Sequence, residues 1–142
     1  MFKNIVIPID LADKQSIEPL LLTANTLIKA FNAKLYFVHI IPDFGTKAVE
    51  DYLPQNWAKE QKRKYEEQMR LSIEKYIAKD MIAEYYVGRG SIYDEVIQYV
   101  NKVAADLVIV SAVRPQLRDY MLGSNASKIV RHAGVSVLVV RT

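Results

Sequence analysis

The 142-residue chain has no cysteine, so disulfides and thiolate chemistry are excluded. Its two histidines, His39 and His132, stand far apart with no second ligand at metal spacing, so neither suggests zinc. No segment reads as a nucleophile elbow G-x-S-x-G, a Walker G-x-x-x-x-G-K-[ST], or a Rossmann G-x-G-x-x-G after the first strand. Hydrolase, P-loop and dehydrogenase chemistry of those types therefore fail. The opening "MFKNIVIPID" lacks a charged region followed by a long apolar stretch, and no run approaches the ~18 apolar residues of a membrane span. A cytoplasmic protein without a membrane partner is expected.

Charge of one sign is scarce too. Nineteen Lys and Arg against sixteen Asp and Glu give a net charge of +3, and the densest basic run, "AKEQKRKYEEQMR", is interleaved with glutamates as on a solvated helix face. The tyrosines are scattered through periodic segments rather than set as a stacking platform among basic residues. Nucleic acid is not an expected partner.

What the chain does have is alternation. Five apolar runs have strand length: "FKNIVIPI", "AKLYFVHII", "MIAEYYVG", "ADLVIVSA" and "VSVLVVR". Between the first two, Ile17, Leu20, Leu21, Ala24, Leu27, Ile28 and Phe31 recur at three- and four-residue steps, the spacing of one helix face. Tyr65, Met69, Ile73 and Ile77 do the same in the next segment, and Ile92, Val96, Val100 and Val103 in the third. A short last helix carries Ile129, Val130 and Ala133. Strict β-α alternation predicts right-handed crossovers between parallel strands. Runs such as "LVIV" and "VLVV", apolar at successive positions, predict helices on both sheet faces. A single α/β domain over 1–142 is expected, with one long connection from Pro42 to about Glu60.

In open α/β sheets ligands bind beyond the carboxyl ends of the strands, where the strand order reverses. Asp10, just past the first strand, is placed either to hold a ribose or to hydrogen-bond the backbone of its own turn. Gly123 and Ser124, before the last helix, offer either a phosphate cradle of helix N–H groups or an ordinary serine N-cap. "GRGS", Gly88 to Ser91, is a second glycine-bearing turn, read as structural, with Ser91 and Asp94 resembling a capping box.

The combination resembles the universal stress protein family. "NIVIPID" is similar to that family's first strand with its Pro-x-Asp end, and "LYFVHII" to its second. "GRGSIYDEVIQYVNKVAADLVIVSA" resembles its third helix and fourth strand, and "RPQLRDYMLGSNASKIVRHAGVSVLVVRT" its closing loop, helix and strand. The resemblance implies a five-stranded parallel sheet of order 3-2-1-4-5 that binds ATP. It also implies the site. Pro8 and Asp10 would flank base and ribose, the adenine would lie against the backbone of Val38, and Gly123, Ser124, Asn125, Ala126 and Ser127 would cradle phosphates bridged by Mg²⁺. ATP-binding members carry G-x-x-G, nine residues, then G-[ST] after the fourth strand; here the final Gly-Ser survives as Gly123 and Ser124. Ser111 stands at the first glycine, and Arg114 lies near the second, in a loop about one residue shorter. That shortened "RP…LGSNA" form resembles a nucleotide-binding branch, in which Ser111 keeps the site small and Arg114 supplies a cation.

The last strand, "VSVLVVR", would be a bare apolar edge, and pairing with a symmetry mate gives the homodimer that the resemblance also implies, with a tetramer left open. No residue in this constellation is an evident water-activating base. A regulatory ATP-binding module with at most slow hydrolysis is therefore expected, the competing function being a nucleotide-free dimeric interaction module on the same fold. A phosphoryl-accepting receiver domain would need an aspartate at the third strand's end, where the chain has Gly88-Arg89-Gly90.

Overall fold

The computed structural model describes residues 1–42, 55–112 and 123–141. Elements run β1 (Asn4–Pro8), α1 (Lys14–Phe31), β2 (Lys34–Pro42), α2 (Trp57–Ile73), β3 (Ile82–Gly90), α3 (Ile92–Lys102), β4 (Leu107–Ser111), α4 (Ser124–His132) and β5 (Ser136–Val140), with a 3₁₀ turn, Lys79–Met81, before β3. The five strands form one parallel sheet in the order β3-β2-β1-β4-β5. The expected α/β architecture holds, and the order reverses between β1 and β4. A receiver's 2-1-3-4-5 order is ruled out.

Burial explains the sheet. Ile5, Val6 and Ile7 of the central strand are all fully buried although they point alternately to opposite faces. Ile5 and Ile7 join Leu35, Phe37 and the inner faces of α1 and α2; Val6 joins Val38, Val108, Val110 and the inner faces of α3 and α4. The Asp106 carboxylate accepts the N–H groups of Lys3 (2.8 and 3.1 Å) and Asn4 (3.1 Å), which fixes the start of β1 beside β4. The two strands that flank the reversal are thereby held in register, Ile5 opposite Leu107.

Several element ends differ from the sequence expectation. β2 runs on to Pro42 because β3, at the sheet edge, pairs with it as far as Pro42 opposite Gly90. The long connection ends earlier than Glu60, since α2 begins at Trp57, and residues 43–54 of it lie outside the described residues. α2 stops at Ile73, so Ile77 is buried from the turn that follows, its N–H bonded to Ile73 O at 3.0 Å. Val130 is 41% exposed and leaves the core of α4 to Ile129. Tyr99 is buried on α3, stacked on Tyr86 with ring centroids 4.4 Å apart.

Candidate functional site

The tip of β1 is anchored from two sides. Beyond Pro8, the N–H of Ile9 donates to Val38 O at 2.7 Å, and Nδ1 of the buried His39 donates to Ile9 O at 3.0 Å. Asp10 then starts the turn into α1: its Oδ1 accepts the N–H of Ala12 at 2.9 Å and its carbonyl accepts the N–H of Asp13 at 3.0 Å. The turn-forming reading of Asp10 is therefore realised. It does not compete with a ligand role, because the same bond holds the carboxyl group at the lip of the crevice described next.

That crevice has a volume of about 750 Å³ and opens at the carboxyl ends of β1, β2 and β4. Pro8 and Asp10 line it from β1, Val38 from β2, Ser111 from the end of β4, and Gly123, Asn125 and Ala126 from the start of α4. Residues separated by up to 118 positions thus share one cavity at the strand-order reversal. Arg114 lies outside the described residues.

The wall at α4 settles which residue caps the helix. Gly123 is the N-cap, with φ −56° and ψ 157°, and its carbonyl accepts the N–H of Ser127 at 2.8 Å. Ser124 is the first helical residue, not the cap, so the serine N-cap reading falls away. The N–H groups of Ser124, Asn125 and Ala126 have no acceptor within the helix, the first turn holds no acidic residue, and Arg131 and His132 occupy the last turn. The first turn of α4 therefore brings no acid of its own to the positive end of the helix dipole beside the crevice. The N–H of Ser127 is engaged with Gly123 O, so its hydroxyl rather than its N–H is what it offers a cradle, and it is not among the residues that line the cavity.

Two further site residues carry local bonds. The Val38 carbonyl accepts the Ile9 N–H within the sheet, while Val38 itself lines the crevice. Alternate residues of a parallel strand direct N–H and C=O to the same neighbour, so Ile40 repeats the orientation of Val38 one step past the end of β1. Ile40 also lines the crevice. The Ser111 hydroxyl donates to the carbonyl of Ala112 at 3.3 Å, a local bond rather than one aimed across the cavity.

"GRGS" lies on the far edge strand, and its glycines are structural. A Cβ on Gly88 would come within 2.9 Å of Ile40 Cδ1, so Gly88 lets the Ile40 side chain pack down beside the crevice. Ser91 is the N-cap of α3 but makes no side-chain cap bond, so the capping box does not form. Tyr85, Tyr86 and Tyr99, on β3 and α3, are held protonated above the usual tyrosine range by burial, and none of them lines the crevice. Among the described residues no group of three His, Asp or Glu could hold a metal ion, and no helix is long and apolar enough to cross a membrane.

Sequence reasoning missed the α2 side of the crevice, lined by Lys64, Gln68 and Tyr65, whose ring lies against His39. Their helical spacing was readable; their position above the sheet was not.

Residues 1–141 match the model of the universal stress protein family. Universal stress protein G of Escherichia coli O157:H7 is 24% identical, over 99% of this chain and 100% of that protein. Among solved structures, the universal stress protein UspA of Lactobacillus plantarum superimposes with a TM-score of 0.73 at 18% identity, over 98% of this chain and 97% of that one. The universal stress protein of Archaeoglobus fulgidus in complex with dAMP does so with a TM-score of 0.60 at 20% identity, over 97% of both chains.

Proposed function

Because the chain belongs to the universal stress protein family, and its strand-order reversal opens between a carboxylate and an uncapped helix start, we propose that it is an ATP-binding regulatory module of the stress response with at most slow ATP hydrolysis. The observation that carries the proposal is the juxtaposition of Asp10 with Gly123, Asn125 and Ala126 on opposite walls of one crevice. Asp10 accepts ribose hydroxyls, and the α4 N–H groups receive phosphate oxygens without a side chain at Gly123 to hold them off. The Ile40 main chain offers one donor and one acceptor, the complement of the N1 and N6 edge of adenine, with Pro8 against the base. Arg114 adds a cation to the phosphates. Mg²⁺ arrives on the phosphates, where it neutralises their charge. A nucleotide complex of the Archaeoglobus fulgidus relative supports the class of ligand.

Isothermal titration with ATP and Mg²⁺ tests this reading. One saturable site per chain is expected; no heat at high micromolar ATP, with no nucleotide released from the purified protein, overturns it in favour of the nucleotide-free interaction module. That second reading draws on β5, the sheet edge whose Leu138 is 36% exposed. Both readings include a homodimer in which β5 pairs with its symmetry mate. Sedimentation should give a dimer mass, and a monomer at all concentrations rejects the pairing.

A further inference from the structure

Strand alternation divides the crevice into two arms around the tip of β1. Val38 and Ile40 direct their side chains to the face covered by α3 and α4, with Val96, Val110 and Ile129. His39, between them, points to the other face, where Phe37, Ile17 and Leu20 lie under α1 and α2. The nucleotide reading uses the α4 arm and the Ile40 main-chain edge. It gives no task to the arm between α1 and α2.

That second arm has a defined chemistry. His39 is its floor, only 9% exposed. A backbone carbonyl can only accept, so the bond to Ile9 O fixes the ring hydrogen on Nδ1 and leaves Nε2 as an acceptor. Nε2 has no hydrogen-bond partner among the described residues, although the ring lines the cavity. Nε2 opens into the cavity, where a group that enters can donate to it. The Tyr65 ring lies against His39, centroids 4.7 Å apart and tilted by 37°, and Leu11, Ile17 and Leu20 make the opposing wall apolar. At the rim, Lys64 and Gln68 stand one helical turn apart on the same face of α2, and both are exposed. Lys64 makes no ion pair among the described residues.

We propose that the arm between α1 and α2 is a second small-molecule subsite, built for a flat heteroaromatic ring that donates a ring N–H to His39 Nε2 and directs a carboxylate to Lys64 and Gln68. The subsite is separate from the nucleotide arm and does not depend on nucleotide binding.

Indole-3-acetate, which has one ring N–H and one carboxylate, is a suitable probe on the full chain. In NMR titrations it should shift the His39 and Tyr65 ring signals saturably, both without nucleotide and with ATP and Mg²⁺ in excess. Its 1-methyl analogue, which has no donor for Nε2, should bind about tenfold more weakly. Lys64→Ala should weaken the probe about threefold and leave ATP affinity unchanged. No saturable shift, equal binding of the methylated analogue, or displacement of the probe by ATP each overturns the proposal. Probe binding to a protein that fails to bind ATP still supports it, and then only the nucleotide reading falls.

Discussion

Where β3 turns into α3, Gly90 has φ +133°, a backbone conformation that residues with a side chain rarely adopt, and the first turn of the helix carries its own acids, Asp94 and Glu95. Where the chain enters α4, Gly123 has φ −56°, open to any residue, and the first turn carries no acid. The two turns look alike in sequence, glycine then serine before a helix, yet they use glycine for different physical reasons. At Gly90 it satisfies the chain, and the helix dipole is already balanced. At Gly123 the backbone does not need it, and the dipole is open toward a cavity. A glycine whose φ any residue can adopt, beside a helix start with no acid in its first turn, has the properties of a binding position.

Substitution at each glycine separates the two cases. Gly123→Val should reduce ATP affinity at least about 30-fold, near 2 kcal/mol of lost phosphate hydrogen bonding, measured by calorimetry. Its stability should fall by no more than about 1 kcal/mol, the difference between glycine and an aliphatic N-cap. Unaltered ATP affinity would show that the phosphates lie elsewhere. Gly90→Val should do the reverse: strain at positive φ costs about 1–3 kcal/mol, lowering Tm by several degrees, while the folded protein binds ATP as before. A weaker ATP site in folded Gly90→Val would remove the distinction between the turns.

The contrast also marks how far the sequence could be read. Strand and helix positions were legible because apolar spacing reports burial directly: Ile17, Leu20, Leu21, Ala24 and Ile28 are the buried residues of α1, as their steps predict. The 3-2-1-4-5 order came from the resemblance of "NIVIPID" and "LGSNASKIV" to a family, since periodicity carries no information about which strands are neighbours. Val38 was legible as a lining residue, but alternation gives the side on which a residue points and not where its neighbour strand stops. β1 ends opposite Val38, and the edge opens at Ile40. Ser124 was weighed as a cap because a serine after glycine suits that position, whereas the helix begins at Ser124 itself. Lys64, Tyr65 and Gln68 were beyond reach: they share a cavity with His39 from a distant element, and no local pattern encodes where α2 sits over the sheet.

The smallest expected effect sharpens the comparison most, because it alters charge almost without altering shape. Asn125→Asp gives the first turn of α4 the kind of acid that α3 already has in Asp94. Beside the positive end of the helix dipole, the new carboxylate should stabilise the protein by about 0.3–1 kcal/mol, read as a slight rise in Tm at low salt. The same charge repels phosphates at the crevice wall, so ATP affinity should fall roughly tenfold at low salt and recover in part as ionic strength rises. Stability and affinity then move in opposite directions, which a general packing defect cannot produce, since packing damage lowers both. If affinity stays constant while Tm rises, the dipole is open at α4 but points at no ligand, and the two glycine turns differ in geometry alone.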